Sequence, residues 1–227
     1  DVKGDLTGIS QAGHASTKLL AVLKDRGIEA PPPLACPTTL WDVFGEQGYA
    51  RAKLEEIAKL LEPFGINTVS AGDLNLPEPV ETENTFVGNA RIKAHAAALA
   101  TGLPALSDDS GITIDALNGA PGVYTADWAE TPTGRDFGMA MAKTWAMLED
   151  ARAPHPRLAQ FRCTLVLAWP DGHDDVFEGV MAGQVVWPMR GDQGHGYDPI
   201  FQPDGFDVTF GEMDRWQKNQ ISHRADA

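Results

Sequence analysis

The chain has 227 residues, of which 43% are hydrophobic and 22% charged, and its formal net charge at pH 7 is −14. A chain of this length can bury a substantial core, as one large domain or as two closely joined lobes. The acidic balance argues against a nucleic-acid-binding surface, which needs a basic face, but it allows a phosphorylated small molecule where a few cations gather. Cys36 and Cys163 show no disulfide spacing, which fits a reducing, cytoplasmic compartment. No apolar run reaches the length of a membrane span.

The N-terminal region differs in composition from the rest of the chain. The proline-rich stretch "APPPLACP", residues 30–37, ends any regular element, because proline fixes φ and has no backbone N–H. Residues 1–45 are therefore predicted to be a divergent appendage with a linker, and residues 46–227 to be the main domain.

The main domain mixes helical and strand patterns. From Ala50, the apolar spacing of Leu54, Ile57 and Leu61 predicts a first helix. The stretch "INTVSA", residues 66–71, predicts a strand. The alanine-rich stretch 85–102 predicts a second helix with Asn84 or Thr85 as its N-cap.

The next segment, "GLPALSDDSGITIDAL", predicts two strands joined by the turn "SDDSG" at residues 107–111. Residues 135–151 predict a third helix. "QFRCTLVLAW" and "DDVFEGVMAGQVVW" predict a hairpin around "PDGH", and a turn or two of helix is expected near residues 212–220. Helices and strands that intermix in this way indicate an α/β or α+β protein.

The candidate acids are Glu81, Asp108 and Asp109. Mg²⁺ is held by one or two carboxylates together with substrate phosphates, and acids on a tight turn converge on one point. The alternative is a solvated turn whose aspartates cap backbone N–H groups. Ser110 and Gly111 favour the metal site over the solvated turn, since a hydroxyl and an open backbone suit an approaching phosphate.

The candidate cations are Lys53, Lys93 and the group Lys218, His223 and Arg224 in "KNQISHR". A solvated lysine and a charged helix end are the alternatives. The stretch "HGYD" combines groups that can stack on and hydrogen-bond a base, or forms a glycine-hinged loop around a buried tyrosine; its residues are His195, Gly196, Tyr197 and Asp198.

Four long stretches in this order resemble the inosine triphosphate pyrophosphatase family, the house-cleaning purine nucleoside triphosphate pyrophosphohydrolases. They are "ETENTFVGNARIKA", "GLPALSDDSGITIDALNGAPGVYTADWA", "GHGYDPIFQPDGFDVTFGEM" and "KNQISHR". The resemblance implies a mixed α/β fold, in which a long twisted β-sheet flanked by helices forms two lobes with a central nucleotide cleft. It also implies a Mg²⁺-dependent homodimer that hydrolyses deaminated purine nucleoside triphosphates (ITP, dITP, XTP) to the monophosphate and pyrophosphate.

The resemblance further implies a role for each matching residue. Asp109 matches the general base and a metal ligand, and Glu81 and Asp108 match metal-site positions. The substrate-binding positions are Lys53, Lys93, Ser110, His195, Gly196, Tyr197, Asp198, Lys218, His223 and Arg224.

Two positions depart from the family pattern. Ala50 stands where the family's phosphate loop has asparagine, and His195 stands where the family usually has a phenylalanine that stacks on the base. Two functions therefore stay open at this point: an active pyrophosphohydrolase, and a weakened or inactive nucleotide-binding relative. The acids of "SDDSG" favour the active enzyme, because a mere binder has little need of a general base.

Overall fold

The computed structural model describes residues 38–41 and 67–227. Ala50, Lys53 and the predicted first helix lie outside the described residues. The part of the chain that the structure describes has no helix long and apolar enough to cross a membrane.

Two short strands begin the described part. Strand β1 spans Thr38–Trp41 and strand β2 spans Thr68–Ser70, and the two pair in parallel with Thr38 opposite Thr68. The strand predicted at 66–71 is confirmed. Strand β1 lies within the region predicted as an appendage and is also a member of the six-stranded sheet, and the boundary predicted at residue 45 stays a prediction.

Helix α1 spans Phe86–Thr101, as the alanine-rich stretch predicts. Thr85 caps it, because its Oγ1 accepts the main-chain N–H of Gly88 at 3.1 Å. The loop before α1 folds tightly onto this first turn: a Cβ on Gly88 would lie 2.5 Å from Cβ of Glu83. The approach of the loop therefore requires glycine at position 88.

Strand β3 runs without a break through Ala105–Ile114. The predicted turn at "SDDSG" is wrong, because sheet pairing and burial override the local turn preference of Asp, Ser and Gly. Gly111 shows how closely this strand is packed. A Cβ at this position would lie 2.5 Å from Oγ1 of Thr125 and 2.6 Å from the carbonyl oxygen of Gly122.

The chain then forms short elements and a second long helix. Strands β4 (Glu130–Thr131) and β5 (Gly134–Arg135) make a small antiparallel hairpin. Helix α2 spans Phe137–Asp150, in agreement with the predicted third helix. Asp136 is its N-cap, with Oδ1 accepting the N–H of Met139 at 2.9 Å.

The remaining strands and helices follow the predicted order. Strands β6 (Leu158–Ala168) and β7 (Asp174–Val185) are sheet neighbours, as the hairpin pattern predicts, and β8 (Phe201–Pro203) pairs antiparallel with β7. Helix α3 spans Arg215–Ile221 near the expected position, and α4 spans His223–Asp226.

The six-stranded sheet has the order β2-β1-β3-β6-β7-β8 and contains both parallel and antiparallel pairs. The α/β class with a mixed sheet is confirmed.

The chain divides into two compact units. Among the described residues, the first contains 38–41, 67–78, 94–106 and 168–173, and the second contains 79–93, 107–167 and 174–227. The second unit has its own apolar core, whose largest fully buried members are Ile112, Ile114, Leu148, Tyr197, Ile200, Phe201 and Phe210. Every contact of the candidate site described below lies within this second unit.

Candidate active site

Asp109 lies in the middle of β3 and faces a buried lysine. Its side chain is 4% exposed, and its Oδ1 lies 3.6 Å from Nζ of Lys93. The lysine side chain is fully buried and donates to Oε1 of Glu81 at 2.7 Å. Lys93 is therefore not a solvated surface lysine: one ammonium group is held between two carboxylates. A lysine this buried is almost always paired in proteins.

Burial raises the pKa of Asp109 to about 7. Lys93 opposes this shift, whereas the negative charges of Glu81 and Asp108 add to it. Oδ2 of Asp109 is buried and has no hydrogen-bond partner among the described residues. A carboxyl group with a pKa near neutrality and an oxygen left unbonded is suited to accept a proton from water or to bind a cation.

Asn89 is a site residue that the sequence reasoning missed. It is buried on α1, one turn before Lys93, so both side chains lie on the same face of the helix. Its Oδ1 accepts the N–H of Glu83 at 3.0 Å, which ties the loop carrying Glu81 to the helix, and its side chain lowers the pKa of Asp109. The spacing of four residues from Lys93 is the signal that could have identified it.

Asp108 contacts Arg224 and not Lys93. Successive side chains of a strand point to opposite faces, so a continuous β3 separates Asp108 from Asp109. Oδ2 of Asp108 accepts from Nε and Nη2 of Arg224 at 3.2 and 3.0 Å and from Oγ of Ser110 at 3.3 Å. The two aspartates thus have different cation partners in the structure, and the predicted metal-site role of Asp108 stays a prediction. Within residues 38–41 and 67–227, no group of three His, Cys, Asp or Glu side chains is placed to hold a metal ion.

The C-terminal residues pack on an aromatic cluster. The ring of His223 is buried and stacks on Phe161, with centroids 5.0 Å apart and planes 16° apart. Phe161 also packs against Phe201 and Phe210. Nζ of Lys218 lies 5.0 Å from the centre of the Phe210 ring. Phe161 was missed in the sequence because it stands in an ordinary strand pattern.

The loop that contains "HGYD" is organised by Asp198. The buried Asp198 carboxylate forms an ion pair with Lys218 and accepts the N–H of His195 at 2.5 Å. Gly196 has a φ of +65°, which favours glycine. Phe137 contacts the His195 ring edge-on at 4.8 Å. Asp198 thus fixes the loop and Lys218 together.

Tyr197 is a core residue. Its side chain is buried in the hydrophobic cluster of the second unit, and burial raises the pKa of its hydroxyl to about 12. Of the two alternatives for this loop, the glycine-hinged loop around a buried tyrosine is the one that the structure contains. In this arrangement the side chains of His195 and Lys218, and not that of Tyr197, remain partly accessible.

The donor set beside Lys93 fits a hard divalent cation. Mg²⁺ takes oxygen ligands and is often bound by one or two carboxylates plus substrate phosphates. Asp109 provides a buried oxygen without a partner among the described residues, and Glu81 provides a second carboxylate that contacts the same lysine. The residues that fit are thus Glu81 and Asp109. Asp108 is held by Arg224.

The candidate residues form two groups joined by β3. One group contains Glu81, Asn89, Lys93 and Asp109, and the other contains Asp108, Ser110 and Arg224, with His223 next to Arg224. Because Asp108 and Asp109 are consecutive, the two groups occupy the two faces of the same strand segment. The Asp109–Lys93 pair and the Asp108–Arg224 pair therefore lie close together along the chain of β3.

Comparison with known proteins gives two matches to sequence families. The sequence model of the Ham1 family matches residues 50–227, and that of the helicase HerA-like C-terminal family matches residues 1–76, a smaller part of the chain. A protein of Ruegeria pomeroyi named dITP/XTP pyrophosphatase is 75% identical over 177 residues, covering 78% of this chain and 87% of that protein. A protein of Agrobacterium fabrum with the same name is 56% identical over 188 residues, covering 78% and 88%. The solved structure of a HAM1 protein from Coxiella burnetii superimposes with a TM-score of 0.75 at 36% identity, covering 84% of this chain and 93% of that one.

Proposed function

The chain belongs to the Ham1 family, and we propose that it hydrolyses the deaminated purine nucleoside triphosphates dITP, ITP and XTP to the monophosphate and pyrophosphate. The reaction would remove these nucleotides from the nucleotide pool. Two relatives that are 75% and 56% identical carry the name dITP/XTP pyrophosphatase. They favour an active enzyme over the alternative of an inactive relative.

The observation that carries the mechanism is the buried Asp109 carboxyl group beside Lys93. With a pKa of about 7, Asp109 is both partly ionised and basic enough to take a proton near neutral pH. We assign Asp109 as the general base. Water attacks the α-phosphorus, and its proton passes to Asp109. The bond between the α-phosphorus and the oxygen that bridges it to the β-phosphorus breaks, and pyrophosphate leaves.

The negative charge of the triphosphate must be balanced by cations. Lys93 supplies one charge at the site, and Lys53 is proposed to supply another, by its match to the family's phosphate-binding lysine. We propose that Glu81 and Asp109 hold Mg²⁺ together with the substrate phosphates. When bound, the metal neutralises charge that develops on the phosphate oxygens.

The second group of residues is proposed to recognise the sugar and the base. Arginine and lysine carry donors only, so Arg224 and Lys218 suit the 6-oxo group of hypoxanthine or xanthine and not the 6-amino group of adenine. A site built around required hydrogen bonds rejects the wrong partner strongly. Ser110, His195, Gly196, Asp198 and His223 complete the proposed contacts, and Tyr197 contributes by holding the loop from the core.

Three further properties are proposed on the resemblance. The protein acts as a homodimer in the cytoplasm and does not bind nucleic acid polymers; the last point is supported by the net charge of −14. Residues 1–37 are proposed to be separate from the catalytic domain, since the Ham1 family match begins at residue 50.

The test is a pyrophosphate-release assay with Mg²⁺ on dITP, ITP, XTP, GTP and ATP. We expect kcat/KM to be highest for the three deaminated nucleotides. Reaction in H₂¹⁸O should place one ¹⁸O in the monophosphate, because water attacks the α-phosphorus. Label in pyrophosphate, or release of inorganic phosphate as the first product, would contradict the proposal. A correctly folded protein that hydrolyses none of the five nucleotides would support the inactive alternative.

A further inference from the structure

Asp108 makes a directed contact with a cation of the C-terminal segment. Two nitrogens of the Arg224 guanidinium, Nε and Nη2, donate to the same oxygen of Asp108 at 3.2 and 3.0 Å. The Asp108 side chain is 12% exposed and that of Arg224 is 32% exposed, so water screens this pair only in part. Two N–H groups on one carboxylate oxygen hold the Nε–Nη2 edge of the guanidinium towards Asp108.

Other contacts hold the backbone of α4 without Asp108. The carboxylate of Asp226 accepts the N–H of Val180 at 3.1 Å, which ties the end of α4 to β7. His223 stacks on Phe161. A Cβ on Gly179 would overlap the main chain of His223 and Ala227, so the helix lies directly against β7. These contacts hold the backbone of α4, whereas the contact of Asp108 is with the guanidinium of Arg224.

Charge favours the same interpretation. Asp109 faces Lys93 and Glu81, whereas Asp108 faces Arg224, so each aspartate of the pair has its own cation. A metal bound through Oδ2 of Asp108 would have to compete with the arginine for that oxygen. The contact of Ser110 with this same oxygen adds a third donor.

We propose that Asp108 is a positioning residue that orients the Arg224 guanidinium for the base of the substrate and so sets the preference for 6-oxo over 6-amino purines. This inference rests on the proposed function, in which Arg224 contacts the nucleotide. A guanidinium has donors only, and its discrimination between an oxo and an amino group depends on where those donors point. An unheld arginine rotates and can turn its donors away from a 6-amino group.

The experiment compares Asp108→Asn with the unaltered protein by kcat/KM for ITP and for ATP and by the Mg²⁺ concentration at half-maximal rate. Loss of a contact to a charged group changes binding by roughly tenfold to a hundredfold. We expect the ratio of kcat/KM for ITP over ATP to fall by about that factor and the Mg²⁺ requirement to stay the same. An unchanged ratio with a raised Mg²⁺ requirement would overturn the proposal in favour of a metal ligand.

A matched control and a double variant separate positioning from folding. Asp174→Asn removes a similar aspartate–arginine pair, in which Arg91 donates to Asp174 at 3.0–3.2 Å, and should leave the ratio unchanged. Arg224→Met should lower the ratio as Asp108→Asn does. Adding Asp108→Asn to Arg224→Met should then have little further effect, because Asp108 acts through Arg224. Additive losses in the double variant would contradict the inference.

The remaining outcomes are also decisive. If Asp108→Asn does not fold, Arg224→Met alone tests the idea, and a retained ITP preference in that variant overturns it. Equal losses of kcat/KM for ITP and ATP in Asp108→Asn indicate a structural role and also overturn it. If the unaltered protein hydrolyses none of the nucleotides, the proposed function itself fails and the inference fails with it. An active, selective protein whose selectivity does not depend on Asp108 refutes the inference alone.

Discussion

Lys93 Nζ lies 2.7 Å from Glu81 and 3.6 Å from Asp109, so a single buried ammonium group faces two carboxylates. With all three groups ionised the cluster has a charge of −1. A buried net charge is unfavourable unless it is compensated, and the raised pKa of Asp109 is one consequence. A bound divalent cation would be the other form of compensation.

The first prediction concerns turnover. Asp109→Asn keeps the shape of the side chain but removes the base and one negative charge. We expect kcat for ITP to fall by roughly a hundredfold to ten-thousandfold, with the fold intact by circular dichroism. Near-normal turnover in the folded variant would rule out Asp109 as the general base.

The second prediction concerns stability against pH, measured without Mg²⁺ or nucleotide. The pKa of Asp109 is raised from 3.8 to about 7, so between these values the folded state binds more protons than the unfolded state. The contribution of Asp109 to the free energy of unfolding therefore falls as pH rises from about 4 to about 7. Asp109→Asn removes this loss and should be more stable than the unaltered protein at pH 8, by at most about 4 kcal/mol.

At pH 4 most of this gain should be lost, because Asp109 is protonated in the folded state and pH 4 lies close to its unfolded pKa of 3.8. Urea unfolding at both pH values measures the difference. A gain that is the same at pH 4 and pH 8 would show that Asp109 does not titrate as the structure indicates.

The third prediction concerns the buried lysine. Lys93→Met keeps the apolar stem and removes the charge, so Glu81 and Asp109 lose their shared partner. We expect kcat/KM for ITP at pH 7 to fall by at least about tenfold, because one contact to a charged group is worth that much. Lys143→Met, at an exposed lysine on α2, is the control and should have normal kinetics. Equal kinetics of the two variants would remove Lys93 from the site.

The fourth prediction tests the close packing of β3. In Gly111→Ala the new Cβ would meet Thr125 and Gly122 at 2.5–2.6 Å, and the main chain of Gly122 cannot move as a flexible side-chain end does. We expect a loss of about 1–3 kcal/mol in the free energy of unfolding, measured in urea. Gly138→Ala is the control, since its Cβ would meet only Asp136 at 3.2 Å. A Gly111→Ala protein as stable as the control would contradict this packing.

The fifth prediction concerns the N-terminal boundary. Deletion of residues 1–37 keeps β1, whereas deletion of residues 1–45 removes a strand that lies between β2 and β3 in the sheet. We expect the first truncation to keep the melting temperature and the activity of the full chain. The second should lose both, since the neighbouring strands lose their ladder hydrogen bonds. Equal stability of the two truncations would support the boundary predicted at residue 45.

Local pattern was sufficient for much of the fold. The alanine-rich stretch with Thr85 at its start determines α1, and Asp136 ahead of an apolar run determines α2. The alternating stretches around "PDGH" determine the hairpin of β6 and β7. These signals are local because capping, helical spacing and strand alternation depend on residues a few positions apart. The motifs were likewise sufficient to indicate the family.

Only the tertiary structure decided which acidic side chain pairs with which cation. "SDDSG" contains turn residues, but pairing within the sheet makes it part of a strand. Because successive side chains of a strand point to opposite faces, Asp109 contacts Lys93 and Asp108 contacts Arg224. Arg224 is 116 positions from Asp108 in sequence, and no local pattern reports such a contact. The burial of Tyr197 and the rise in the pKa of Asp109 have the same origin, because burial depends on elements that come together only when the chain folds.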